Sequence, residues 1–278
     1  FIPSYSMGER TRSFLKIQDG CDYNCSFCTI PLARGKSRSG DITETLSQAI
    51  EIGKTDIKEI VLTGVNIGDF GKSHNESFIK LIQKLDNIEG IDRYRISSIE
   101  PNLLTDEIIE FTAKSKKFLP HFHVPLQSGS NELLQTMRRR YKTKLYTNRI
   151  KQIKSIMPEA CIGVDVIVGF PGESDAQFNE THDFLNELEI SYLHIFSYSM
   201  RDNTNAAKIL DKIPHDIISE RSKMLHRLSM VKKQHFYKKN IGSVKHVLIE
   251  HYEEGLIYGH SENYIPVRIL GGSNDVNE

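Results

Sequence analysis

The chain has 278 residues, with 36 basic side chains balancing 36 acidic ones and 38% of its residues hydrophobic, enough for one large globular domain with a small appendage. Zero net charge leaves nucleic-acid binding to where the charges lie rather than to their sum. No apolar run approaches the ~20 residues of a membrane span and no secretory pattern opens the chain, so no membrane partner is expected; clustered free thiols point to a reducing, cytoplasmic compartment.

Residues 1–12 show no period and read as a linker, as if something preceded them. A strand-like Phe14–Gln18 then leads into Cys21-Asp22-Tyr23-Asn24-Cys25-Ser26-Phe27-Cys28, which holds three of the four cysteines. A straight helix cannot bring such positions round one point, so a loop is expected that turns its three sulfurs inward. Three thiolates suit an iron–sulfur cubane better than zinc, which wants a fourth protein ligand with its own spacing. A redox thiol cluster and three buried structural cysteines are the alternatives. The next stretch, residues 30–39, is basic and rich in Gly and Pro. It reads as a solvated loop, or as one that offers Arg34, Lys36 and Arg38 to an anionic substrate.

Strands and helices then alternate. A helix capped by Asp41 or Thr43 runs to about Ile52, and an apolar strand covers Glu59–Gly64. A helix over 76–86 and a strand over 93–99, ending at Glu100-Pro101, come next. A helix from about Thr105 and a strand over His121–Leu126 follow, then a polar turn at Gln127–Ser130. Helical segments at 131–137 and 143–156 precede the most apolar strand, Ile162–Gly169; a helix from Ser174 and a strand over Tyr192–Tyr198 complete the series. His121 and His123 are expected to divide between core and mouth, and Cys161 to be a small buried residue.

Six strands with intervening helices imply parallel βαβ units, in either an open doubly wound sheet or a partial barrel. Function is expected at the carboxyl ends of the strands, where the unusual residues fall: Cys21–Cys28, Gly64–Asn66, Glu100, Gln127, Ser128, Gly169–Gly172 and Ser199–Arg201. A long amphipathic helix covers Pro214 to about Lys239. Three short strands within 244–269 make a weak β module, and Gly271–Glu278 reads as disordered or cut short. Two basic groups, Arg138–Arg140 with Lys142 and Lys144, and Lys232, Lys233, Lys238 and Lys239, are candidates for contact with an RNA backbone.

The spacing CxxxCxxC, with aromatic Phe27 before its last cysteine, resembles the radical S-adenosylmethionine (SAM) enzymes. The resemblance implies an α/β fold of the partial (β/α)6, TIM-like barrel type, with a 4Fe-4S cluster on Cys21, Cys25 and Cys28 whose open iron holds SAM. It places Gly64 against the SAM amino group and Val164–Glu173, with Asp165 and Gly169, against adenosine. Phe27, Glu100, Gln127, Ser128 and Arg140 join the cofactor set. Glu100 and Asp165 read equally well as acids satisfied within a barrel.

Several stretches, among them Pro31–Ser39, Val61–Asn66, Ser97–Pro101, Pro125–Ser130 and Phe196–Arg201, are similar to the methylthiotransferases, specifically the branch that acts on threonylcarbamoyladenosine in tRNA. That resemblance covers about residues 12–270. It implies addition of a methylthio group to C2 of N6-threonylcarbamoyladenosine at position 37, with the tRNA anticodon stem-loop as partner, flavodoxin or ferredoxin as electron donor, and a monomer. Arg34, Arg38, Arg201, Lys232 and Lys233 become the RNA-facing candidates. It divides the chain into a linker (1–12) from an absent N-terminal domain that would carry a second 4Fe-4S cluster, a radical SAM domain (13–239), and an incomplete TRAM-like RNA-binding module (240–278). Sister enzymes acting on isopentenyladenosine or a ribosomal protein are the alternatives, and an RNA-binding module with a structural cluster is the alternative of another class.

Overall fold

A computed structural model describes residues 1–6 and 11–278. Six parallel strands lie side by side in chain order: β1 (Arg12–Lys16), β2 (Glu59–Thr63), β3 (Arg93–Ile96), β4 (His121–His123), β5 (Cys161–Val168) and β6 (Tyr192–Ser197). β1 to β3 pair in parallel, as do β4 to β6. Bridges Tyr94–Phe118 and Ser98–His123, with the Ile99 amide donating to the His123 carbonyl at 3.0 Å, join the two trios. Spatial order therefore follows chain order throughout. A doubly wound sheet would reverse its order at a switch point, so the partial barrel is the fold.

The connecting helices are α1 (Ile30–Arg34), α2 (Ile42–Gly53), α3 (Phe78–Leu85), α4 (Asp106–Lys114), α5 (Asn131–Thr136), α6 (Thr143–Ile156) and α7 (Asp175–Glu187). Local chemistry sets their starts. Asp41 and Glu44 form a capping box for α2, as Ser174 and Gln177 do for α7, and Thr105 caps α4. α2 buries Ile42, Thr45, Ala49 and Ile52, three to four residues apart and so on one face. β5 is buried on both faces, as a central parallel strand must be, except for the partly exposed Asp165.

The arc does not close: among the described residues no pairing joins β1 to β6. Ser4–Tyr5 covers the outer edge of β1 in antiparallel pairing. The edge of β6 meets α8 (His215–Asn240), whose Ser229 hydroxyl accepts from the Leu193 amide at 2.9 Å and donates to the Leu193 carbonyl at 3.2 Å.

Beneath the amino ends of the strands lies an antiparallel meander of β7 (Val247–Glu253), β8 (Leu256–Ser261) and β9 (Pro266–Leu270). Arg93 donates to the His246 carbonyl at 2.8 Å and to that of His260 at 3.3 Å, Arg12 pairs with Glu250, and Asn263 donates to the Glu159 carbonyl at 2.9 Å.

The sequence reading needs correction at four places. Residues 1–12 are not all linker, since Ser4–Tyr5 joins the sheet and Arg12 opens β1; residues 7–10 lie outside the described residues. The basic stretch after the cysteines begins with a short helix, α1, which admits Pro31 in its first turn, where a missing N–H costs nothing. His121 and His123 both line the barrel interior, because residues two apart on a strand share a face. The tail is ordered: the Asn277 amide donates to the Ile249 carbonyl at 2.8 Å and the Ile249 amide to the Glu278 carbonyl at 3.1 Å.

Candidate active site

The cysteine loop springs from the carboxyl end of β1 and is fastened at its base. Gln18–Asp19 pairs antiparallel with Arg38–Ser39, and the Cys21 amide donates to the Gly35 carbonyl at 3.1 Å. Gly20 takes φ +69°, and a Cβ there would lie 2.1 Å from the Lys36 carbonyl oxygen, so only glycine fits. Asp19 gathers Lys16 (2.8 Å), Arg38 (2.9 Å) and Arg34 (3.2 Å). Burial works to raise the Asp19 pKa, but the bonds from Lys16, the Gly20 amide and Arg34 prevail and bring it down to about 2. Arg34 and Arg38 thus brace the loop.

Each thiol has its own polar neighbour. The Tyr23 amide points at Cys21 Sγ and the Ile30 amide at Cys28 Sγ, both at 3.4 Å, and Arg139 Nη1 stands 3.1 Å from Cys25 Sγ. Burial pushes the Cys21 thiol up to about 11, and it raises Cys25 against the pull of Arg139. Buried thiols of this kind stay protonated at neutral pH unless a cation compensates them. A hydrogen-bond donor at each sulfur and three sulfurs from one loop fit an iron–sulfur cluster, whose iron would supply that charge. A single ion wants a compact ligand set, and among the described residues the trio of potential ligands that lies within 4.8 Å is elsewhere, at His123, Asp165 and His194.

Arg139 organises the surroundings. Its Nη2 pairs with Glu100, and its Nε donates to the Tyr141 hydroxyl at 3.1 Å, which lies 2.9 Å and 2.8 Å from the Pro125 and Leu126 carbonyls. Burial raises the Glu100 pKa, with Arg139 opposing. One guanidinium therefore joins the cysteine loop to the ends of β3 and β4. Arg140 donates to the Asp22 carbonyl at 2.9 Å and covers the Tyr23 ring at 3.9 Å, so it too holds the loop.

The carboxyl ends of the strands place the remaining candidates. Gly64 follows β2, and a Cβ there would lie 2.8 Å from the Gln18 carbonyl oxygen. Gln18, absent from the sequence candidates, accepts from the Val65 and Asn66 amides (3.0 and 2.7 Å) and donates to the Gly20 carbonyl (2.8 Å) and Ser37 (2.9 Å). It ties the Gly64 loop to the cysteine loop. Its only sequence signal is a polar residue at the end of an apolar strand. Gln127 takes φ +70° and bridges to β5 at Val166, whereas Ser128 is buried against Thr181 at 3.1 Å, behind the site. Phe27 packs edge-on to Phe170, centroids 6.4 Å apart, beside Gly169 at φ +75°. Asp165 faces the lumen and sits 2.7 Å from His123 Nε2, while Ser98 lies 2.7 Å from His123 Nδ1.

The RNA-facing candidates separate. Arg201 is exposed on the loop after β6. Lys232 is drawn onto the end of α7, donating to the Asn186 and Leu188 carbonyls at 2.6 and 2.7 Å, a favourable seat for a cation. Lys233 lines the lumen near the base.

An unclosed six-strand barrel with a three-thiol loop after its first strand defines a cluster-bearing (β/α) enzyme barrel. The Radical SAM superfamily model matches residues 15–185, and the chain belongs to that superfamily, which implies a 4Fe-4S cluster and SAM. It is 39% identical over 99% of its length to the threonylcarbamoyladenosine tRNA methylthiotransferase MtaB of Bacillus subtilis, covering 62% of that protein. It is 35% identical to the tRNA-2-methylthio-N(6)-dimethylallyladenosine synthase of Wolinella succinogenes, over 96% of this chain and 64% of that one. The chain thus spans about three-fifths of the length of these curated relatives. Coproporphyrinogen III oxidase (HemN) of Escherichia coli shares the fold, with a TM-score of 0.60 at 14% identity over 81% of this chain and 53% of that one. No helix among the described residues is long and apolar enough to cross a membrane.

Proposed function

We propose that the chain is the catalytic barrel of a tRNA methylthiotransferase that adds a methylthio group to C2 of N6-threonylcarbamoyladenosine at position 37, beside the anticodon. The observation that carries this reading is the 39% identity to the Bacillus methylthiotransferase over 99% of the chain. When bound, the cluster and SAM supply one-electron cleavage of the sulfonium to a carbon radical. The protein's own part is positional. Arg139 and the Tyr23 and Ile30 amides fix the sulfurs, Gln18 sets the Gly64 loop beside them, and the barrel lumen below gives a nucleobase shelter from water. A second 4Fe-4S cluster as sulfur carrier would be held by residues outside this chain, since Cys161 is single and buried.

Mass analysis of digested tRNA from a strain lacking the gene is the test. Loss of the 2-methylthio form, with N6-threonylcarbamoyladenosine accumulating, is expected. Loss of the methylthiolated dimethylallyl nucleoside instead moves the chain to the sister branch, and an unchanged nucleoside profile overturns the reading.

A further inference from the structure

A cavity of about 540 Å³ occupies the lumen between the cysteine end and the β module. Its lining carries Arg12, Arg95 and Lys233 with His121, His123 and His194, and an acid, Asp165, stands 2.7 Å from His123 toward the cysteine end. Two of the fixed cations are compensated from behind. Arg95 holds Glu59 through Nε (2.9 Å) and Nη2 (3.2 Å), and Arg12 reaches Glu59 (3.1 Å) and pairs with Glu250. Lys233 has no carboxylate partner among the described residues; its ammonium stands 5.8 Å from the centre of the Tyr237 ring, at the open side of the cavity.

Two buried polar atoms in this lining also lack partners: Arg95 Nη1, on a residue 4% exposed, and His121 Nδ1, on one 6% exposed. The Tyr192 hydroxyl lies 3.2 Å from His121 Nε2. If it donates there, Nδ1 carries the ring proton and becomes a second donor without an acceptor. Buried donors left unpaired are costly and rare, and with Lys233 on the same lining a group that carries negative charge and hydrogen-bond acceptors would suit them.

We propose that the base of the lumen is a carboxylate subsite, formed by Arg95, His121 and Lys233, that reads the threonyl carboxylate of N6-threonylcarbamoyladenosine. The assignment rests on the functional reading above and supplies its selectivity. C2 and N6 flank N1 on the same edge of the adenine ring and diverge from it, so a base with C2 toward the cysteine loop leads its N6 substituent sideways along the lumen wall and away from that loop. A dimethylallyl group would offer these cations nothing and leave them desolvated.

The test is calorimetric titration of the anaerobically reconstituted protein with four compounds: N6-threonylcarbamoyladenosine, its threonyl methyl ester, N6-dimethylallyladenosine and N-carbamoylthreonine. The free acid should bind about tenfold or more tightly than its ester, as a charge-assisted bond requires. Lys233→Met, at an exposed position that leaves the fold intact, should bring that ratio close to one with cluster absorbance unchanged. Equal binding of acid and ester, a ratio unaffected by Lys233→Met, or no binding at all overturns the subsite. If acid and ester bind equally but better than the dimethylallyl compound, the subsite alone fails; if the dimethylallyl compound binds best, the functional reading fails with it. N-carbamoylthreonine binding as tightly as the nucleoside would give the site to a free carboxylate and remove the base as its source.

Discussion

The two ends of the barrel use buried charge in opposite ways. At the carboxyl end Arg139 is divided among Cys25, Glu100 and Tyr141, and the three thiols wait for positive charge from a cofactor. At the amino end Arg12, Arg95, Glu59, Glu250 and His260 pair with one another, leaving Arg95 Nη1 over, and Tyr264 stacks on His260 (4.8 Å) and lies against Arg95 (4.7 Å). The first end is arranged around something it must bind. The second is arranged to fasten the small module to the barrel, and the lumen between them inherits the few donors that neither end uses.

The largest expected effect separates the ends outright. Replacing Cys21, Cys25 or Cys28 by Ala should remove essentially all of the about four irons per chain and abolish reductive SAM cleavage, while Cys161→Ala keeps both; loss of iron in Cys161→Ala would break the assignment. At the other end, Glu59→Gln leaves Arg95 buried without its counter-charge and should cost about 3 to 5 kcal/mol in urea unfolding, with SAM cleavage retained below the transition. A cost near zero would mean that the network is ornamental. Tyr264→Ala removes the ring that the module lays against Arg95 and His121. About 2 kcal/mol is expected, seen as faster proteolysis within residues 244–270 and unchanged iron content.

The smallest effect tests the loop brace. Asp19 has its pKa lowered to about 2 in the fold, against about 3.9 for a free aspartate. A depressed carboxyl contributes stability above the unfolded value and loses it as pH falls through the folded one. The melting temperatures of wild type and Asp19→Asn should therefore differ from neutral pH down to about 4 and converge toward about 2. The difference will be modest, because Arg34 and Arg38 are half exposed and their pairs are screened; curves that remain parallel would remove Asp19 from the brace.

What the sequence revealed divides in the same way. The cysteine loop was legible because cluster ligation fixes ligand spacing within a few residues. The strands and capped helices were legible because burial and capping are local, as β5 and Asp41 show. The arc against the doubly wound sheet came from the family resemblance and not from the alternation of elements, since strand order depends on contacts such as Ser98 with His123 that no local pattern records. Gln18 escaped notice for the same reason: its partners Val65 and Asn66 lie 47 and 48 residues away. Lys232 belongs to a basic run on a helix, yet the carbonyls that hold it come from the end of α7.

An arc that stops short of closure leaves two strand edges, each a template on which another copy's strand could add. Here one edge is occupied by a strand of two residues, Ser4–Tyr5, and the other is covered by α8, whose Ser229 hydroxyl takes up the Leu193 amide and carbonyl. Protection of that edge thus turns on a buried hydrogen-bond pair as well as on helix packing, and Ser229→Val, at a residue that also lines the lumen, should first betray itself in light scattering as slow, concentration-dependent growth of assemblies.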